Sequence, residues 1–118
     1  MTFTAAEVAY LREQQIGRLC TIGREGQPQV RPVGLHLSPD ETSIDIVGHA
    51  LASTQKWRDV ARNSDVAFIV DNVISLTPPD ARGVEVRGTA TLLPGQGTTN
   101  RGLSGNIMRI EPRRIITM

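Results

Sequence analysis

After residue 15 the hydrophobic period of the chain drops to two and, one short interval aside, stays there to the end. "IGRLCTIG", "QVRPVGLHL", "SIDIVG", "DVAFIVDNV", "VEVRGTATLL" and "NIMRIEPRRIITM" are β-like runs separated by turn-forming residues. Only one helical stretch, "STQKWRDVARN", interrupts them. A parallel α/β sheet needs a crossover, usually a helix, between its strands, and this order does not supply one. What remains is a mostly β chain: a mostly antiparallel small barrel of about six or seven strands, with an N-terminal helix and a middle helix packed outside. At 118 residues it reads as a single domain, 1–118, long enough for one core and too short for two.

Local signals fill in the elements. Thr4 followed by Glu7 is a capping box, so a helix opens there and runs to about Gln14, with Ala5, Val8, Ala9 and Leu11 as its apolar positions. Residues 16–37 read as a hairpin around "REGQP". Pro32 cannot donate a ladder hydrogen bond, so the second strand lies at an edge or is bulged. The middle helix starts at Ser53 or Thr54, runs to about Asn63 and buries Trp57, Val60 and Ala61. "DVAFIVDNV" is apolar on both faces, so its outer face needs cover from a helix or a second subunit. "SLTPPDARG" reads as a loop broken by Pro78, Pro79 and Gly83, and "PGQGTTNRGLSG" as a second loop. Arg87 is the outward member of an alternating strand, and the last run is one or two strands broken near Pro112.

Charge and composition narrow the partners. Thirteen basic against twelve acidic side chains give a net charge of +1, which lacks the basic excess that phosphate-backbone binding requires. Nucleic acid is therefore not an expected partner. No window approaches the roughly 18 apolar residues of a membrane span, and the N-terminus has no signal-peptide pattern, so a cytoplasmic protein with no membrane partner is expected. Cys20 is the only cysteine, which excludes an intrachain disulfide; in "RLCTI" it reads as a buried, inert thiol. His36 and His49, without a cysteine pair or ligand spacing, give no metal site. No carboxylate pair or Ser-His-Asp set identifies a catalytic residue.

One residue stands apart. Of the thirteen Lys and Arg residues, only Lys56 is a lysine, and it sits in the first turn of the middle helix, just behind Ser53 and Thr54. A helix start with hydroxyls, free N–H groups and an ammonium can hold a phosphate. The bland alternative is a solvated lysine on a helix face, with Ser53 or Thr54 serving only as the cap. Trp57, on the apolar stripe, reads as packing rather than as a stacking platform.

The order of these pieces resembles a known family. A helix, then "LCTIGREGQPQVRPV", "STQKWRDVARNSDVAFIVD", "RGVEVRGTATLL" and "IMRIEPRRII", is similar to the pyridoxamine 5'-phosphate oxidase-like split barrels. Within them it most resembles the actinobacterial branch of deazaflavin (coenzyme F420)-dependent oxidoreductases. The resemblance implies a homodimer with a flavin or deazaflavin between subunits. It implies that Arg31, Pro32 and Val33 form the strand edge that meets the ring. It implies that Ser53, Thr54 and Lys56 hold the cofactor phosphate. Arg58 is a candidate for the same anion, the alternative being a solvated side chain, and His49 a candidate to flank the ring, the alternative being a turn-end histidine. Asp71 and Arg82 are candidates to cross between subunits.

Two departures carry weight. Gln55 stands where the flavin oxidases often have an arginine, and the oxidases' C-terminal R-x-H is absent from "RRIITM". Both disfavour pyridoxamine phosphate oxidation, while Gln55 and the segment "DNVISLTPPDARGVEVRG", which resembles the deazaflavin branch more than the oxidases, favour F420 over FMN. The expected function is hydride transfer from the reduced deazaflavin to a small unsaturated acceptor, with the proton taken from solvent. An FMN enzyme of the same fold is the first alternative, and a non-catalytic cofactor-binding or small-ligand-binding barrel the second.

Overall fold

The computed structural model describes residues 2–118. Helix α1 spans Ala5–Glu13 and starts with both halves of the expected box: the Glu7 amide donates to Thr4 Oγ1 (3.1 Å), and the Thr4 amide donates to Glu7 Oε1 (2.7 Å). Phe3 and Val8 occupy the two positions of a hydrophobic staple, and both join the core. The helix lies down on its Glu7–Leu11 stripe, with Val8 and Tyr10 half-buried beside it. Ala5 and Ala9, expected to be buried, face solvent instead. The reason is local: the Thr117 hydroxyl also donates to Glu7, so the helix rolls toward that carboxylate.

Strands β1 (Ile16–Ile22) and β2 (Pro28–Gly34) pair antiparallel, with Arg18 opposite Pro32 and Cys20 opposite Val30. Glu25 and Gly26, both at positive φ, close the turn. β2 is an edge strand, as Pro32 requires. The hairpin does not continue to residue 37, however. The chain leaves β2 through Leu35, which buries its side chain and donates its amide to the Gln15 carbonyl (3.2 Å). His36–Leu37 then form β3, which pairs with β4 (Ile44–Ile46).

The remaining strands are β5 (Asp65–Leu76), β6 (Pro79–Leu93) and β7 (Ile107–Thr117), giving one seven-stranded sheet in the order β2-β1-β5-β6-β7-β4-β3. β2 and β3 stand at opposite ends of that order, yet only Leu35 separates them in the chain. The sheet must therefore curl until its ends come together. This is the expected split barrel. Its interior is filled by Leu19, Ile44, Ile46, Phe68, Val70, Val84, Val86, Met108 and Ile110.

Two strand readings need correction. "SLTPPDARG" is not a loop: β5 and β6 stay paired from Asp71–Gly83 out to Leu76–Pro79 and turn only at Thr77 and Pro78. β1 pairs with β5 only as far as Ile69, and the chain end pairs with β6 only as far as Gly83, which exchanges backbone hydrogen bonds with Met118, so beyond Gly83 this ribbon has no strand on either side. Its free edges are what allow Pro79 to sit in a strand. β7 is not broken at Pro112 either. The register slips so that Arg87 faces Arg114 and Gly88 faces Pro112, a bulge that absorbs the extra residue. Gly88 makes it possible, since a Cβ there would lie 2.0 Å from the Glu111 carbonyl oxygen.

Helix α2 (Gln55–Arg62) is capped by Thr54, whose hydroxyl oxygen accepts from the Trp57 amide (3.4 Å). Val60 is buried and Trp57 half-buried, as expected, but Ala61 is exposed. The fully buried neighbour of Val60 is Asp59, at 0 % exposure.

Candidate functional site

The start of α2 faces the end of the β1–β2 hairpin across a cleft of about 300 Å³. Pairing puts Thr21 opposite Gln29 and Leu19 opposite Arg31, so Thr21, Gln29 and Arg31 all point to the inner side of that hairpin. They form one wall, and Thr54, Gln55, Lys56 and Asp59 form the other. The structure thus brings together three of the residues singled out in the sequence: Arg31, Thr54 and Lys56.

The electrostatics of the cleft are those of an anion site. Lys56 is half-buried, and its pKa is lowered, first by burial and then by the charge of Arg31. Among the described residues, neither cation has a carboxylate within salt-bridge reach. Two cations held this close without a counter-charge repel each other, and an anion between them would relieve both. The first amides of a helix, here those of Gln55 and Lys56, add donors to the same place. A phosphate group fits this donor set.

The hydroxyls contribute less than expected. Thr54 lines the cleft, but its single proton goes to the Leu51 carbonyl (2.6 Å) while its oxygen accepts from Trp57. Ser53 is exposed and donates to the Ala50 carbonyl (3.0 Å). Both hydroxyl protons hold the turn that leads into α2 and are not free to be given to an anion. Arg58 lies outside the cleft lining, donating to the Ser53 carbonyl (3.1 Å) and to Gln55 Oε1 (3.0 Å). His49 is also elsewhere, its Nδ1 2.9 Å from the Gly102 carbonyl oxygen. Val33 is buried in the core, whereas Pro32 is exposed on the other face of the hairpin.

Thr21, Gln29 and Asp59 were missed in the sequence. Asp59 had a readable signal, because Gln55 precedes it by four residues and Arg62 follows by three, spacings that meet on a helix. Thr21 and Gln29 become neighbours only through the hairpin register.

The outer face of the same hairpin is different in kind. Ile16, Val30, Pro32, Ala67, Ile69 and Val73 share it by register with the charged Arg18, Asp71, Glu85 and Arg87. Val30 is 59 % and Val73 60 % exposed. Cys20 is on this face too, half-buried beside Val30 and Ala67, rather than in the core as expected. One strand edge, β2, separates the apolar outer face from the cationic cleft.

Among the described residues, no group of three His, Cys, Asp or Glu side chains could hold a metal ion. No helix is long and apolar enough to cross a membrane.

Residues 3–114 match a family described as pyridoxamine 5'-phosphate oxidase. A 5a,11a-dehydrotetracycline/5a,11a-dehydrooxytetracycline reductase from Streptomyces rimosus subsp. rimosus is 41% identical over 118 residues, covering 99% of this chain and 83% of the relative. A conserved hypothetical protein of Mycobacterium tuberculosis superposes with a TM-score of 0.77 at 20% identity, over 99% of this chain and 85% of the other. A structure named F420 reductase superposes with a TM-score of 0.64 at 22% identity, over 86% and 89% of the two chains.

Proposed function

Because the chain belongs to the pyridoxamine 5'-phosphate oxidase family and is an oxidoreductase of that fold, we propose that it is a reductase dependent on the deazaflavin coenzyme F420, acting on a small unsaturated organic acceptor. One observation carries the cofactor site: Arg31 and Lys56, two cations with no acidic partner, converge on the start of α2. That arrangement suits the phosphate of a flavin-type cofactor. Three things support F420 over FMN: Gln55 in place of the oxidases' arginine, the likeness of "DNVISLTPPDARGVEVRG" to the deazaflavin branch, and the relation to a reductase rather than an oxidase. The fold likeness to an F420 reductase agrees with this choice.

When bound, the reduced deazaflavin supplies a hydride, which together with one proton saturates a double bond. The Streptomyces relative acts, by its name, on a 5a,11a-dehydro compound, which favours a carbon–carbon double bond as the acceptor here. The protein's part is positional. Lys56 and Arg31 anchor the phosphate end, and β2 turns the chain's polar cleft into an apolar surface within one strand width. A flavin-type cofactor would be held at its phosphate end by Arg31 and Lys56, and Val30 and Pro32 on the neighbouring face would help to exclude water from the reacting atoms. In this reading the proton comes from solvent.

The exposed apolar side chains of the outer face support a homodimer, in which each copy would cover the other's sheet. Side-by-side fluorescence titration with F420 and with FMN tests the cofactor. Tighter binding of F420 is expected; tighter binding of FMN would make the chain a flavoenzyme of the same family, and binding without turnover over a broad acceptor panel would make it a carrier.

A further inference from the structure

Asp59 has no part in the chemistry above, yet it is the only acidic residue in the cleft lining and is fully buried. Its carboxylate accepts three hydrogen bonds: Thr21 Oγ1 to Oδ2 (2.9 Å), Gln55 Nε2 to Oδ1 (2.7 Å) and Arg62 Nη2 to Oδ1 (2.8 Å). Arg62 also balances its charge. Gln55 passes the connection on, because its Oε1 accepts from Arg58, which in turn holds the Ser53 carbonyl. A single carboxylate is thus the root of a network joining β1, the first turn of α2 and the turn before it. Those elements are the walls of the anion cleft.

Burying a carboxylate is costly and three donors only offset that cost. An apolar side chain could join α2 to β1 with less penalty. What an apolar contact cannot do is fix orientation, since hydrogen bonds to both carboxylate oxygens set the angle as well as the distance. We infer that Asp59 is a positioning residue for the phosphate end of the cofactor: by locking Thr21 to Gln55 it sets the gap between Lys56 on α2 and Arg31 on β2, so that one anion can meet both. This inference rests on the cofactor site proposed above.

The test is a double-mutant cycle on binding of F420, with FMN as a second probe, in the whole chain. Asp59→Ala should weaken binding about ten-fold, because the anion then meets one cation well instead of two. In the Lys56→Ala background the same change should cost less than about two-fold, since no pair is left to align. Asp59→Asn should restore most of the affinity: its oxygen still accepts from Gln55 and Arg62, and its amide can donate to Thr21. A merely structural role predicts an equal loss in both backgrounds, and that result overturns the inference. Recovery absent in Asp59→Asn overturns it too, because charge rather than placement would then be the cause. Should Asp59→Ala not fold, Gln55→Leu, at an exposed position, cuts the same link and must show the same coupling to Lys56. If Lys56→Ala alone leaves both probes unaffected, the cofactor site itself is wrong and the inference falls with it; an additive cycle on top of a real Lys56 effect sinks the inference alone.

Discussion

Two adjacent side chains divide binding from stability. Lys56 enters the cleft, while Trp57 packs against the core. With the phosphate bound as proposed, removing Lys56 would delete a charge-assisted hydrogen bond worth roughly 1.5–3 kcal/mol, so Lys56→Ala should weaken cofactor binding about ten- to 150-fold. Its melting temperature should barely change, because alanine is a good helix former. Trp57→Ala should do the reverse, costing about 2–3 kcal/mol of stability, below the full range for a core tryptophan because the ring is only half-buried. Titration and thermal melts of the two variants side by side check both. The buried carboxylates add a pH dependence. Burial raises the pKa of Asp59, but hydrogen bonds from Gln55 and Thr21 and the charge of Arg62 outweigh it, leaving the pKa below the ordinary 3.8. Glu7 behaves likewise, its burial outweighed by bonds from Thr117 and Thr4, and ends below 4.5. Groups with lowered folded-state pKa values stabilise the fold above their unfolded values and lose that contribution as pH falls through the folded ones. Stability should therefore hold from pH 7 to about 5 and decline below about 4.5; melts of Asp59→Asn should show a shallower acid decline, and an unchanged one would refute the assignment. Lys56 was legible because it is unique in the chain and sits just after a cap. Asp59 was not, since a charged residue on a helix is exposed far more often than buried.

Element boundaries were readable where a residue's chemistry is strict. The Thr4–Glu7 box placed α1, and Pro32 confined β2 to an edge or a bulge, of which the structure has the edge, because each states a hydrogen bond made or forbidden. The failures came where a breaker was taken to end a strand. Pro78, Pro79 and Gly83 looked like a loop, but a ribbon with free edges tolerates proline, and nothing local announces that its neighbours have stopped pairing. Pro112 misled in the same manner, since the bulge beside it keeps β7 whole. That bulge depends on close backbone approach at Gly88. Gly88→Ala would push a methyl group into the Glu111 carbonyl, and only a backbone shift could relieve it. A loss of roughly 2–4 kcal/mol is expected, read as a drop in denaturant midpoint. Gly26→Ala makes a useful contrast: no atom crowds that site, and only the strain of its positive φ is charged, about 1 kcal/mol. A similar midpoint for the two variants would mean that the β6–β7 bulge is softer than its geometry.

For the whole molecule, the apolar outer face is the feature that most needs explaining. "VAFIV" pointed to it in the sequence, and the register extends it across Ile16, Val30, Ile69 and Val73. Exposed apolar side chains grouped this way, with Arg18, Asp71, Glu85 and Arg87 among them, suit a second copy. Sedimentation should show a dimer at micromolar concentration, and Val30→Glu should give a monomer that melts cooperatively, since the side chain is exposed within one copy. A dimeric Val30→Glu would place the interface elsewhere. Cofactor binding should weaken with dimer loss if the ring lies between copies. The curled sheet has a consequence of another sort. β1–β2 and β5–β6–β7 are built from chain neighbours and can form early, but the clasp at Leu35 holds only after Ile44 has found Ile110. Closing so long a loop is entropically slow, so the clasp belongs to the last stage of folding. Weakening it with Leu35→Ala should leave the refolding arm of a chevron nearly in place and lift the unfolding arm. The lifetime of the native state, more than the ease of reaching it, is set at the one residue where the two ends of the sheet meet.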